Sequence, residues 1–210
     1  MTQDVLAPER AREATYKLLS VCYQLPTSEW QVVQLIDGIV QALEVLGSES
    51  IDDAKAMKVI VDNTKDFIPL QIAFSKLFVG PMDLLAAPYA SVYLGKERQV
   101  KTATTMEVLE FYHKVGLDIN NEVREIPDHI RVELEVMYYL CLKGRVAERE
   151  GDIEEASKYV QFQSDMLFKH IVTWIDRFTD DIEKESPHEL YKHLAKVTRT
   201  FIQEEQARMS

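Results

Sequence analysis

Apolar residues recur at intervals of three and four along most of the chain, which is the spacing of one face of an α-helix. Near the N-terminus the positions with this spacing are Ala11, Ala14, Leu18, Val21 and Cys22. No stretch alternates apolar and polar residues in the way that a half-buried β-strand does. The pattern therefore predicts an all-α fold, a single-domain bundle of about seven to ten helices that takes in the whole chain.

Turn and cap residues divide the first part of this pattern into helices. Pro8 suits the first turn of a helix, which should end where Pro26 interrupts the spacing. Ser28 and Gln31 have the spacing of a capping box, and Gly47 is a typical residue just beyond a helix end. A second helix is predicted between them.

Further helices follow the same signals. Ser50 is a weaker N-cap for the next helix, which Pro69 should kink or end. The longest helix is predicted from about Asp152, and a final one runs from the capping box at Ser186 to near Glu205. The stripe of the longest helix is assigned to the core: Ile153, Ala156, Val160, Met166, Leu167, Ile171, Trp174, Phe178 and Ile182.

Two segments lack helical spacing. Residues 80–101 read GPMDLLAAPYASVYLGKERQVK, a long irregular loop of apolar, aromatic and small residues. Long loops inside domains are uncommon and are often functional. The polar stretch at about 118–127 is the predicted hinge, and exchange of elements there would allow a domain-swapped dimer as well as a monomer.

Charge narrows the classes of partner. Lys and Arg number 24 against 35 Asp and Glu, so the net charge of −11 disfavours binding to nucleic-acid phosphates or to an anionic membrane surface. The N-terminal residues carry charge where a signal peptide needs apolar residues, and no run of 18 apolar residues occurs. We expect a cytoplasmic protein without stable membrane insertion and without a nucleic-acid partner.

Most catalytic motifs are missing from the sequence. Cys22 and Cys141 belong to no CxxC motif and are expected to be reduced thiols in the core. No phosphate-binding glycine loop, GxSxG or HExxH motif occurs. The sequence predicts no catalytic residue, no cofactor and no metal ligand.

A metal site is the alternative interpretation of two residue pairs. Glu110 with His113 and Glu185 with His188 have the Glu-x-x-His spacing of di-iron bundles. Glu185 lies outside the helix that Ser186 is expected to cap, so its carboxylate should not share a helical face with His188. A di-iron protein or a metal-dependent hydrolase is the competing interpretation of another functional class.

Residues 125–140, EIPDHIRVELEVMYYL, place two acids and an imidazole within two helical turns. A helix beginning at Pro127 would put Asp128 in its first turn and bring His129 close to Glu133 at the edge of the apolar face. A cap with a half-buried ion pair accounts for this arrangement. So does a recognition surface for a cationic ligand.

Together with residues 77–94, LFVGPMDLLAAPYASVYL, this stretch resembles the two signature segments of the TorD/DmsD family of redox-enzyme maturation chaperones. The matching positions in the first segment are Leu77, Phe78, Gly80, Pro81, Pro88, Ser91 and Tyr93. Those in the second are Pro127, Asp128, His129, Ile130, Glu133, Leu134 and Met137. Ala90 departs from the family, where many members have glutamate.

The resemblance implies a cytoplasmic, non-enzymatic chaperone. Its partners would be the twin-arginine signal peptide and the apo form of a molybdopterin-dependent oxidoreductase subunit, held back until the cofactor is inserted. The expected peptide-binding residues are Pro127, Asp128, His129, Glu133, Pro88, Tyr89, Ser91 and Tyr93. Carboxylates beside an apolar groove suit such a peptide. A second branch matures cytoplasm-facing enzymes of the nitrate-reductase kind without reading a twin-arginine leader.

Overall fold

The computed structural model describes residues 7–80, 84–95, 98–117 and 125–210. Eleven α-helices lie in these ranges: α1 Pro8–Cys22, α2 Glu29–Val32, α3 Leu35–Leu46, α4 Ile51–Asn63, α5 Ile68–Phe74, α6 Ala90–Leu94, α7 Ala103–Lys114, α8 Ile130–Glu150, α9 Ile153–Met166, α10 Ile175–Glu185 and α11 Glu189–Met209. The predicted all-α fold is confirmed. The count exceeds the expected range by one because α2 and α6 are short pieces of four and five residues.

The predicted second helix is divided in two. Gln34 adopts a left-handed conformation with φ of 52°, which interrupts the chain between α2 and α3. Ser28 precedes α2 without a side-chain capping hydrogen bond, so the predicted capping box is wrong. Gly47 does end α3, with the positive φ of 65° that glycine adopts without a steric cost.

Two other predicted helix boundaries shift. Pro69 lies in the first turn of α5, where a missing N–H costs nothing, so it begins a helix and does not kink one. A π-helical turn, Ser75–Val79, then continues α5. The cap of α11 is His188, whose Nδ1 accepts from the N–H of Leu190 at 3.1 Å, while Ser186 bonds to the His188 backbone.

The helix predicted from Asp152 is broken near its middle. After α9 a π-helical turn, Leu167–Ile171, leads to Trp174, whose φ of −137° ends helical geometry before α10. The longest helices are instead α8 and α11, with 21 residues each. Ile153 and Val160 are 69% and 55% exposed, so their assignment to the core is wrong. The second half of the stripe, from Met166 onwards, is buried as predicted.

One continuous apolar core joins residues from α1 to α11. Helix α8 packs between α1 and α9, α3 packs on α1, and α11 packs on α4 and α10. Cys22 and Cys141 are free, buried thiols, as predicted. Within the described ranges no helix is both long enough and apolar enough to cross a bilayer.

Candidate functional site

The two signature segments lie side by side, joined through their backbones. Tyr89 and His129 form an isolated antiparallel β-bridge. Around it the N–H of Ala90 donates to the carbonyl of Asp128, and the N–H of Ile130 donates to the carbonyl of Pro88, both at 2.9 Å. The predicted long loop is therefore not irregular throughout. Helix α6 begins inside it, directly after this bridge.

Asp128 locks the start of α6 to the start of α8. Its carboxylate is fully buried and accepts hydrogen bonds from the backbone N–H of Ser91 at 2.7 Å and from the hydroxyl of Thr105 at 3.0 Å. Asp128 precedes α8 by two residues, so the expectation that it lies in the first helical turn and caps that helix is wrong. One carboxylate instead holds the N-terminal ends of α6 and α7.

His129 is the residue that caps α8. Its Nδ1 accepts from the N–H of Arg131 at 3.0 Å, and its ring meets that of Tyr89 edge-on at 5.0 Å. Burial, and then the charge of Arg131, lowers the pKa of His129 to about 3. The imidazole is therefore neutral near pH 7 and unsuited to act as a general base there.

Glu133 lies one turn into α8 and is fully buried. One carboxylate oxygen accepts from the indole N–H of Trp174 at 3.0 Å, and the other has no hydrogen-bond partner among the described residues. Burial raises the pKa of Glu133 well above its usual value, and the nearby charge of Asp128 adds to the shift. The side-chain partner of Glu133 is therefore Trp174, where the helical spacing predicted His129.

An aromatic stack connects this buried acid to the surface. The ring of Tyr93 in α6 stacks on Trp174 at 5.6 Å. Its hydroxyl donates to the carboxylate of Asp181 in α10 at 3.1 Å, and its carbonyl accepts from Arg177. The helical spacing of apolar residues assigned Trp174 to the core and did not identify Asp181. Nothing in the sequence distinguishes Asp181 from the other acids on the polar face of α10.

The remaining motif residues support this arrangement. Pro127 accepts a hydrogen bond through its carbonyl from the hydroxyl of Tyr112 at 2.9 Å, and Gly80 ends the π-helical turn with φ of 30°. Five apolar motif residues are buried in the core: Leu77, Phe78, Ile130, Leu134 and Met137. Pro81, and positions 118–124 of the predicted hinge, lie outside the described residues.

Only part of the predicted peptide-binding set reaches the surface. Tyr89 and Pro127 are partly exposed, whereas six members are buried: Pro88, Ser91, Tyr93, Asp128, His129 and Glu133. A groove of about 750 Å³ lies beside α6 and is lined by Leu84, Leu85, Val92, Val100, Asp181 and Glu185, among others. A second groove, of about 600 Å³, runs along α5 and the π-helical turn as far as Gly80, and apolar side chains form most of its lining surface.

The described part of the chain has no arrangement of side chains that supports the competing metal-site interpretation. No group of three or more His, Cys, Asp or Glu side chains there is arranged to hold a metal ion. Glu185 ends α10 and pairs with Lys184, while the Nδ1 of His188 caps α11. The two Glu-x-x-His pairs are thus not brought together as ligands.

The fold is shared with a protein of known structure. A crystal structure from Archaeoglobus fulgidus, described as that of a redox enzyme maturation protein, matches with a TM-score of 0.59 and 22% identity. The match covers 91% of this chain and 93% of the other. At this identity the likeness establishes the helical architecture only.

The family follows from the sequence match. A family model for the nitrate reductase delta subunit matches residues 48–180, more than half of the chain and including both signature segments. The chain belongs to this TorD-like family, which confirms the resemblance stated above.

Curated relatives carry the names of assembly chaperones. The chlorate reductase assembly chaperone protein of Ideonella dechloratans is 32% identical over 95 residues, covering 44% of this chain and 48% of the relative. The chaperone protein TorD of Vibrio cholerae is 28% identical over 139 residues, covering 66% and 61%. The selenate reductase assembly chaperone protein of Thauera selenatis is 30% identical, covering 44% and 48%. The chain thus spans about half to three fifths of these relatives, and their names agree with a non-enzymatic protein.

Proposed function

We propose that the protein is a cytoplasmic, system-specific chaperone. It binds the twin-arginine signal peptide of a molybdopterin-dependent oxidoreductase subunit and holds the apo subunit back from export until its cofactor is inserted. The observation that carries the proposal is the pairing of the two signature segments through the bridge between Tyr89 and His129. Helix α6 follows this bridge directly, and its residue Val92 lines the groove beside it. Family membership and the names of the relatives support it.

The physical match is between a groove that combines apolar side chains with carboxylates and a peptide with an arginine pair followed by apolar residues. Apolar side chains would be buried in the groove, while carboxylates attract and orient the guanidinium groups. The net charge of −11 favours encounter with such a cationic peptide.

Three buried residues, Asp128, His129 and Glu133, have a supporting role in this proposal and hold the residues of the binding surface in place. Because Asp128 and Glu133 are fully buried, direct contact with a peptide arginine would require the two segments to separate. In the closed arrangement Asp128 positions Ser91, and Glu133 positions Trp174 under Tyr93.

Calorimetric titration with a synthetic twin-arginine peptide tests this function. We expect saturable binding to the wild-type chain and weaker binding to an Asp128→Asn, His129→Ala double variant that retains its fold. Wild-type affinity in the folded double variant would contradict the assignment of these residues to the site. Absence of binding to the wild type would contradict the function itself.

A second candidate is maturation of a cytoplasm-facing molybdoenzyme without recognition of a leader. The description of the matching family model, the nitrate reductase delta subunit, favours it. Co-purification separates the two functions. A client whose leader has been deleted should still be captured under the second candidate and should be lost under the first.

A further inference from the structure

Arg98 is one of the residues that line the groove beside α6, and its side chain contacts two groups there. Its guanidinium stands 3.7 Å from the carboxylate of Asp181 and 5.8 Å from the centre of the Tyr93 ring. Planar guanidinium groups are recognised by this combination of an aromatic face and a carboxylate. The groove therefore holds a formed contact for one arginine side chain.

The two receiving groups are fixed by their own contacts. The Tyr93 hydroxyl donates to Asp181 at 3.1 Å, through the same carboxylate oxygen that faces Arg98. Stacking on Trp174 holds the Tyr93 ring in place. Because these contacts are independent of Arg98, the ring and the carboxylate would keep their arrangement if Arg98 left.

Arg98 itself is held weakly. Its side chain is 60% exposed and that of Asp181 is 29% exposed, and long, solvated ion pairs contribute little to stability. A competing guanidinium could therefore displace it at little cost.

Charge in the groove also favours exchange. Among the described residues that line the groove, two cations, Arg98 and Lys184, face two carboxylates, Asp181 and Glu185. Lys184 pairs with Glu185 at 2.8 Å, so departure of Arg98 would leave Asp181 as the carboxylate without an ion pair among the described lining residues. The same groove also has apolar lining residues, among them Leu84, Leu85 and Val92.

We infer that Tyr93 and Asp181 form the subsite for one arginine of the client peptide, and that Arg98 occupies this subsite as an internal competitor. The inference rests on the proposed function and identifies which acid meets the arginine. The occupant is an arginine followed by apolar residues, which fits a carboxylate in a groove that Leu84, Leu85 and Val92 also line. Exchange of Arg98 for the peptide arginine would make binding selective for guanidinium over ammonium.

Titration of a synthetic peptide with two adjacent arginines before an apolar stretch tests the inference. Asp181→Asn keeps an acceptor for Tyr93 but removes the charge, and we expect about tenfold weaker binding. Arg98→Ala should strengthen peptide binding about two- to fivefold, because the Arg98 side chain no longer competes for the subsite. In the double variant this gain should disappear, since the two residues act at one subsite.

Matched variants control for net charge. Asp180→Asn removes a carboxylate from the same helix that pairs with Arg199 outside the groove, and Arg149→Ala removes an exposed cation at the end of α8. Both should bind the peptide as the wild type does. A peptide with lysines in place of the two arginines should bind the wild-type chain less tightly than the arginine peptide does. Its affinity should also fall by a smaller factor in Asp181→Asn.

The outcomes separate this inference from the proposed function. Wild-type affinity in Asp181→Asn, or no gain in Arg98→Ala, would overturn the subsite while peptide binding by the wild type stands. A peptide that fails to bind the wild type would overturn both. Arg98 is exposed, so Arg98→Ala should fold and remain decisive even if Asp181→Asn does not.

Discussion

The carboxylate of Asp128 accepts a hydrogen bond from the backbone N–H of Ser91 at 2.7 Å, across 37 positions of sequence. Its second oxygen accepts from Thr105. Three helix starts, those of α6, α7 and α8, therefore depend on one buried acid. Val92, the neighbour of Ser91 in α6, lines the groove beside this helix.

Removal of the Asp128 carboxylate should destabilise the fold. Asp128→Ala leaves the buried N–H of Ser91 and the hydroxyl of Thr105 without an acceptor, which should cost roughly 1–3 kcal/mol of unfolding free energy. Asp128→Asn keeps one acceptor and should cost less. Urea unfolding measures both, with Asp180→Ala as an exposed control. Equal stability of Asp128→Ala and the control would refute the structural role.

Glu133 should make stability fall as pH rises. Its folded-state pKa is raised by burial, so its contribution is fully present below the unfolded pKa near 4.5 and is lost as pH rises through the folded pKa. Glu133→Gln removes this titration and keeps a carbonyl acceptor for Trp174. We expect the variant to melt roughly 2–4 °C above the wild type at pH 8, and to show little gain at pH 4.

The check on Glu133 is a series of thermal melts from pH 4 to pH 8, monitored by circular dichroism and by the combined fluorescence of Trp30 and Trp174. A gain that is the same at every pH would show that packing, and not titration, separates the two proteins.

His129 has the opposite pH dependence. Burial lowers the pKa of His129 from 6.5 to about 3 in the folded state. Between these two pH values the unfolded chain binds a proton at His129 and the folded chain does not. Stability is therefore lost as pH falls from 6.5 towards 3. His129→Asn retains an N-cap acceptor and removes the titration. Relative to the wild type it should gain on the order of 2 kcal/mol between pH 7.5 and pH 4.5.

For His129 the measurement is urea unfolding at the two pH values. The difference between variant and wild type, not either absolute value, carries the test because loss of the Tyr89 contact affects both conditions equally. A difference that does not change with pH would mean that the imidazole is not buried in its neutral form.

Local patterns predicted the helical class, because residues three and four positions apart report directly on a helix face. They did not predict the partners of the buried acids. The partner of Glu133 is Trp174, 41 positions away, and no helical spacing relates the two. The stripe on α9 failed for a related reason: Ile153 and Val160 have helical spacing, but α9 turns Tyr159 and Phe162 towards the core. Which face is buried depends on the neighbouring helix.

Another fully buried acid, Glu205, supports a test of how α1 is joined to α11. Arg12 in α1 donates from Nε and Nη2 to the Glu205 carboxylate in α11, the shortest contact being 2.6 Å, and the hydroxyl of Tyr16 donates to it at 3.1 Å. Glu205 is fully buried. Arg12→Ala removes the shortest ion pair of this buried carboxylate and leaves it with the Tyr16 hydroxyl and a longer contact to the Nε of Arg208, at 3.3 Å, so it should cost up to about 3–5 kcal/mol.

A matched surface pair and a double variant separate charge from packing at Glu205. Lys17 in α1 pairs with Glu135 in α8, both about two fifths exposed, and Lys17→Ala should cost under about 1 kcal/mol. Arg12→Met with Glu205→Leu removes both charges and should recover most of the loss, because the penalty of Arg12→Ala comes from a stranded carboxylate. Urea unfolding of the three variants measures this. If the double variant were as unstable as Arg12→Ala, the loss would come from the packing of the Arg12 side chain, and the ion pair would contribute little to joining α1 to α11.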